Sequence, residues 1–160
     1  MATSLKYAVV ERERRFLLRS LPTGITETFE IVDRYVDGTR LRLRRVRAAD
    51  GSVVHKLTQK VRLAEDASQV ACTNFYLDDA EWRLLTQSLP GKLLVKTRHK
   101  VTRDGDVVVV DVHTDGSMVA EIDGGDVVPV SVPAWLDVIR EVTDDERWTG
   151  VGLAHSIDAS

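Results

Sequence analysis

Alternation of apolar and polar residues with a period of two runs through most of the chain. Eight runs show it: Tyr7–Leu17, Phe29–Tyr35, Arg40–Arg47, Val53–Val61, Gln69–Leu77, Leu93–Val101, Val107–His113 and Met118–Asp123. A period of two is the strand period, because successive side chains point to opposite faces. Turn residues stand between the runs, at Asp37 and Gly38, Asp50 and Gly51, Asp104 and Gly105, Asp115 and Gly116, and Gly124 and Gly125. Asp-Gly between alternating runs is a strong hairpin signal, so consecutive strands are expected to pair antiparallel. Two stretches read as helix. Asp78 or Asp79 caps Ala80–Ser88, where Trp82, Leu84 and Leu85 form an apolar face and Pro90 with Gly91 ends the run. Thr143 caps a second, Asp144–Leu153, after a turn that Pro133 starts. The fold class is therefore mainly β (α+β), with about eight antiparallel strands in a barrel or strongly curved sheet.

Charge follows the same period. Arg40, Arg42 and Arg44 alternate with leucines. Lys56, Thr58 and Lys60 share one face, as do Lys96, Arg98 and Lys100. Glu11, Glu13 and Arg15 share another, Asp111 and His113 end a valine run, and Glu121 and Asp123 flank Ile122. In a sandwich these charges face water; in a barrel with a polar lumen they face inward. Parity alone does not choose. The segregation of sign does bear on it, because like charges on neighbouring strands destabilise a sheet unless a ligand of opposite charge compensates.

Bulk composition narrows the class. The 160 residues suit one domain spanning 1-160. The net charge of −3 carries no general polyanion signal, which argues against a nucleic-acid partner. Cys72 is the only cysteine, so no internal disulfide forms, and it reads as a small core residue. The N-terminus lacks an apolar targeting core, and no run is long enough to span a bilayer. A soluble, cytoplasmic protein with no membrane partner is expected.

Glu11 and Glu13 on one strand face repel each other unless a cation lies between them, and paired carboxylates suit a hard divalent ion such as Mg2+ or Mn2+. In their order along the chain, these residues resemble the CYTH superfamily, the triphosphate tunnel metalloenzymes. The family opens on Glu-x-Glu-x-Lys, matched here by Glu11, Glu13 and Arg15, with Arg for Lys. Arg40 and Arg42 match its Arg-x-Arg strand, and Lys56 to Lys60 its lysine strand. Lys96, Thr97 and Arg98 match a further basic strand. Asp111, Glu121 and Asp123 match its acidic strands, and Pro133 to Leu136 with Glu141 to Asp144 its late pattern.

The resemblance implies a closed eight-stranded antiparallel tunnel with a few peripheral helices. It implies phosphate binding by Arg15, Arg40, Arg42, Lys56, Lys60, Lys96 and Arg98. The metal set it implies is Glu11, Glu13, Asp111, Glu121 and Asp123, holding Mg2+ or Mn2+, with Glu11, Glu13 and Lys56 catalytic. The implied activity is metal-dependent hydrolysis of a small-molecule triphosphate by water. No base-recognition element is legible, so inorganic triphosphate ranks first, ahead of ATP and thiamine triphosphate. A non-catalytic triphosphate or polyphosphate sensor and a class IV adenylate cyclase are the alternatives, and homodimerisation stays open. Two departures stand out. The strand before the middle helix, Thr73 to Tyr76, carries no carboxylate where the family often has a Glu-x-Glu pair. His113 stands where an aromatic residue is common. Arg44 and Lys100 are expected at the tunnel mouth, His113 as a hydrogen-bond partner at the lumen edge, and His55, His99, His155, Trp82, Trp135 and Trp148 in packing or surface roles.

Overall fold

The computed structural model describes residues 4–63, 65 and 67–156. Its elements are β1 Val9–Leu18, β2 Ile25–Val36, β3 Leu41–Ala48, β4 Val53–Arg62, β5 Gln69–Leu77, α1 Asp79–Ser88, β6 Gly91–Arg103, β7 Asp106–His113, β8 Met118–Asp123, β9 Val138–Glu141, α2 Gly150–Leu153 and β10 His155–Ser156. The first eight strands run β6-β2-β3-β4-β5-β1-β8-β7 around the sheet, and β7 pairs back to β6. The result is a closed eight-stranded antiparallel barrel, the architecture the sequence predicts. Closure pairs the two edges that an open sheet would leave bare. The short strands β9 and β10 add to β1 and β6.

Hairpins build the barrel where Asp-Gly predicts them. At the β6–β7 turn, Asp104 and Gly105 both take positive φ, 53° and 85°, the conformation a two-residue hairpin needs. Helix α1 begins at the predicted place, with Asp78 as cap. The Asp78 side chain accepts from the Glu81 N–H, and the Glu81 side chain accepts from the Asp78 N–H. Strands β2 and β6 extend beyond the predicted Phe29–Tyr35 and Leu93–Val101, because they pair with one another over almost their whole length.

The second predicted helix does not form as one element. A 3-10 turn at Glu146–Trp148 is capped by Asp145, and α2 covers only Gly150–Leu153 under a Thr149 cap. Thr143 caps neither. Its hydroxyl accepts from the Arg15 N–H and donates to Glu141. Gly150 and Gly152 weaken helix propensity here. They are also sites of close approach: a Cβ on Gly152 would lie 2.1 Å from the Glu146 carbonyl oxygen.

The packed core resolves the parity question. Phe16, Leu18, Val108, Val110, Ala120 and Ile122, from β1, β7 and β8, pack with Leu136 on the outside of the barrel. Val132, Trp135 and Val138 cover them further. Alternate residues on the same strands, including Glu13, Arg15 and Glu121, therefore face the lumen. A one-residue slip of β1 would drive Phe16 into the lumen and a charge into the Leu136 core, so register and charge placement are one constraint. Among the described residues no helix is long and apolar enough to cross a membrane.

Candidate functional site

The lumen encloses a cavity of about 680 Å3 with two walls of opposite sign. Arg40, Arg42 and Arg44 come from the start of β3, Lys60 from β4, and Lys92, Lys96 and Arg98 from β6. The β2 strand between β3 and β6 adds Tyr35. Across the barrel, adjacent strands β1 and β8 supply Glu11, Glu13, Glu121 and Asp123. Register sets this acidic wall: Glu13 is the cross-strand partner of Asp123, and Arg15 of Glu121. Of the residues singled out in the sequence, Glu11, Glu13, Arg15, Arg40, Arg42, Lys60, Lys96, Arg98, Glu121 and Asp123 all line this one cavity.

Lys56 and Asp111 are placed differently. Lys56 is the cross-strand partner of Arg44 and shares its face, but it does not line the cavity. Its ammonium stands 5.4 Å over the Tyr76 ring, and burial beside Arg44 and Arg42 pulls its pKa down. Asp111 is buried beneath the cavity wall. It accepts from Lys96 at 2.5 Å and from Arg98 at 2.7 and 2.8 Å. Burial opposes its ionisation, yet the Lys96 and Arg98 cations outweigh that and hold its carboxyl far below the ordinary carboxylate range.

Most lumen charges are paired. Arg98 reaches Glu121 at 2.9 Å, and Lys60 reaches Glu11 at 2.9 Å. Asp33, which the motif reading passed over, is fully buried and takes both arms of Arg44, at 2.6 and 2.7 Å. Arg44 is thus a buried partner and not a mouth residue. Its signal was present in the sequence, since Ile31, Asp33 and Tyr35 alternate in β2, but an isolated carboxylate gives no hint that it faces arginine. Tyr35, Thr58 and Lys92 are further lining residues that the sequence reading did not mark as site residues. Lys100, by contrast, pairs with Glu27 at an exposed rim, as expected of a mouth residue.

Glu13 and Arg42 are less well compensated than these. Glu13 makes no ion pair or side-chain hydrogen bond among the described residues. Burial, then Glu121 and Glu11, raise its pKa to about 7 against the pull of Lys60 and Arg15. The Arg42 Nε is buried without a hydrogen-bond partner, 3.8 Å from an Asp33 carboxylate that Arg44 already occupies. An unpaired carboxylate and a guanidinium held only by long contacts to Asp33 and Thr58, 3.8 and 3.4 Å, suit a ligand that brings both charges, an anion with its counter-cation. Among the described residues no three acidic, His or Cys side chains are already drawn together as a metal cluster. The donor chemistry nonetheless fits a hard cation, because burial and like-charged neighbours disfavour the ionised form of Glu13 and a cation beside it would offset that penalty.

Arg42→Gln is expected to weaken inorganic triphosphate binding by about 10-fold or more, as a bidentate phosphate donor is lost. Its thermal midpoint should hold or rise, since no strong partner is abandoned. Unchanged affinity by titration calorimetry would remove Arg42 from the phosphate site.

The remaining predicted residues are mostly structural. The carboxylate-free strand places Asn74 next to Thr58, whose hydroxyl donates to the Asn74 side chain at 2.7 Å. Cys72 is buried, and burial with the nearby Glu11 charge pushes its thiol pKa up, which suits an unreactive core position. His55 stacks on Trp82 with ring centroids 4.5 Å apart, and His99 meets Thr28. His113 is buried, and its Nδ1 has no hydrogen-bond partner. The expected hydrogen bond from its ring is therefore not made at Nδ1, while Asp111, on its own strand face, is bonded to Lys96 and Arg98.

No family model and no curated protein matches the chain. Two crystal structures of the protein NE1496 do share its fold. One, of a hypothetical protein NE1496, aligns with a TM-score of 0.59 at 23% identity, covering 92% of this chain and 99% of that one. The other, of the inorganic triphosphatase NE1496, aligns with a TM-score of 0.58 at 22% identity, covering 98% of this chain and 97% of that one. The likeness shows the fold, and it agrees with the tunnel that the resemblance to the CYTH superfamily implies.

Proposed function

We propose that this chain, which shares the tunnel fold of an inorganic triphosphatase, hydrolyses a compound with a triphosphate chain, with inorganic triphosphate as first substrate and Mg2+ or Mn2+ as cofactor. The observation that carries the reading is the pair of facing walls of opposite sign in one cavity, with Glu13 unpaired on one and the Arg42 Nε without a hydrogen-bond partner on the other. Arg42, Lys60, Lys96 and Arg98 would grip the phosphates, with Arg40 at the rim. Arginine supplies paired donors and lysine a point charge, so the wall binds and orients an extended anion. Glu11, Glu13, Glu121 and Asp123 would hold the cation. When bound there, it neutralises charge on phosphate oxygens and acidifies water. The ion pairs of Asp33 with Arg44, and of Asp111 with Lys96 and Arg98, fix the positions of the gripping side chains. A buried cationic wall needs that support, since reorganising it during reaction would cost part of the stabilisation it gives.

The Lys60–Glu11 and Arg98–Glu121 pairs tie the two walls together in the ligand-free protein. Triphosphate arriving with its cation exchanges these pairs for charge on the ligand, so the lumen trades partners without exposing a bare ion. Neither Cys72 nor any histidine is among the lining groups, so no thiol or imidazole of the described residues competes with water there.

A phosphate-release screen tests the reading, with Mg2+ and with Mn2+, across inorganic triphosphate, ATP and thiamine triphosphate. Release from inorganic triphosphate above the others is the expected result. Preference for a nucleotide would reverse the substrate ranking, and formation of cyclic AMP would indicate a cyclase. Binding of triphosphate without turnover would favour the sensor reading. The observation behind that second reading is Asn74, a neutral amide bonded to Thr58 in the strand where the family often has paired carboxylates.

A further inference from the structure

The segment after β9 crosses one end of the barrel as a strap, and its anchors lie on strands that face each other across the lumen. On β1, the Arg15 guanidinium donates to the Thr143 carbonyl at 2.6 Å and to the Trp148 carbonyl at 3.4 Å. At the end of β4, Arg62 pairs with Glu146. On β2, Gly150 lies against Tyr35, so closely that a Cβ there would be 1.7 Å from the Tyr35 hydroxyl oxygen. The strap then ends on β6, where His155 pairs with Leu93. In the barrel order β1 and β2 are four strands apart in either direction, so the Arg15 and Tyr35 anchors span its width. Thr149, Gly150 and Val151 of the strap form part of the cavity wall. At the other end of the strands, Val107 and Asp123 line the cavity and are open to solvent, and no strap of the described residues crosses them.

From this asymmetry we infer that the strap is an end stop that sets substrate specificity: one terminal phosphate of the chain must be free. The inference rests on the phosphate-chain reading of the cavity. A substituent on one terminus can leave by the Val107 end. A substituent on both termini would need the strapped end as well, where Gly150 meets Tyr35. Compounds of the class RO–triphosphate–OR are therefore excluded, while inorganic triphosphate and its monoesters are admitted. In this account Arg15 is a positioning residue. Both of its terminal nitrogens are committed to strap carbonyls, and its part in phosphate binding is indirect. Arginine at this place in the motif has a geometric reason, because one planar guanidinium bridges two carbonyls and a lysine ammonium reaches fewer such points at fixed geometry.

The test is a binding ratio, measured by calorimetry in chelator so that turnover does not intervene. Inorganic triphosphate, ATP and a dinucleoside triphosphate are the probes. The parent protein is expected to bind ATP at least about 10-fold more tightly than the dinucleoside compound. Gly150→Ala, whose methyl displaces the strap from Tyr35, should narrow that ratio at least about fivefold, and Arg15→Lys should do so by releasing the other anchor. The difference in ligand charge is common to all three proteins, so a change in the ratio reports the strap and not electrostatics. Arg15→Lys also covers the case in which Gly150→Ala does not fold. Equal binding of the mono- and disubstituted compounds by the parent protein would overturn the end stop while leaving the phosphate site intact. A ratio unmoved in both variants would do the same. Failure of all three probes to bind, in chelator and again with Mg2+ present, would overturn the phosphate reading and the end stop with it.

Discussion

Replacing Glu13 by Gln is expected to stabilise the metal-free protein at neutral and alkaline pH while abolishing its response to Mg2+ and Mn2+. Glu13 is buried against Glu121 and Glu11, and its pKa rises from 4.5 to about 7. The folded protein holds this proton more tightly than the unfolded chain does. Its stabilising contribution is therefore complete below the ordinary carboxylate value and is lost as pH rises through 7. By linkage, a shift from 4.5 to about 7 corresponds to a loss of about 3 kcal/mol once both states are ionised. Glutamine has no proton to lose, so urea midpoints of Glu13→Gln should stay flat between about pH 5 and 8 where those of the parent protein fall. A divalent cation needs the carboxylate form, so its affinity for the parent protein should climb over the same window. Loss of this ligand should reduce metal-dependent phosphate release by more than the ~10–100-fold typical of an outer-shell partner. A variant with the same metal-induced thermal shift as the parent would end the metal assignment of Glu13.

The second large effect has the opposite sign. Asp111→Asn should destabilise the protein by about 3–5 kcal/mol, the usual cost of stripping one partner from a buried ion pair. Lys96 and Arg98 both bond this carboxylate, so Lys96 loses its carboxylate partner while Arg98 keeps only Glu121. The folded pKa of Asp111 is depressed, so its contribution is present above the ordinary carboxylate value and is lost as pH falls through the lower folded one. The acid limb of the parent's stability profile should accordingly be steeper than that of the variant. Because Asp111 does not line the cavity, whatever Asp111→Asn retains of fold should keep its thermal response to Mn2+. Abolition of that response, with stability untouched, would restore Asp111 to the metal set and contradict its role as a fixed counter-ion for the cationic wall.

These two carboxylates show where sequence reasoning stops. Glu13 and Asp111 both sit at strand spacing and both match an acidic position of the same motif set. Their flanks differ, arginines around Glu13 and valines around Asp111, but flanking residues point to the other face of a strand and do not set the partner of either carboxylate. Their difference comes from cross-strand neighbours: Glu13 stands opposite Asp123, whereas Asp111 stands opposite Arg98. Pairing partners come from far along the chain, and register decides them. Asp33 makes the same point, since its role comes entirely from Arg44 on the neighbouring strand. Lys56 and Lys60 share one strand and one face, yet only Lys60 reaches the cavity, because position along the barrel axis depends on strand stagger.

Local chemistry alone determined the strands, the Asp-Gly hairpins and the capped helix α1, because strand periodicity, positive-φ turns and capping bonds act over a few residues. It also determined that cations and carboxylates would collect on separate strands. Tertiary structure decided which face of those strands is inside. The apolar face of β1, β7 and β8 found its cover outside the barrel, in the segment that carries Leu136, and this turned the charged face into a lumen. The C-terminal region marks the same boundary. Read locally, Thr143 is a helix cap with the run Asp144–Leu153 behind it. In the folded chain its hydroxyl and carbonyl are taken by Arg15, 128 residues away, and the run becomes a strap whose course is set by contacts to β1, β2, β4 and β6. A cap competes for the hydrogen bonds of its immediate neighbours, and here a buried long-range donor took them first.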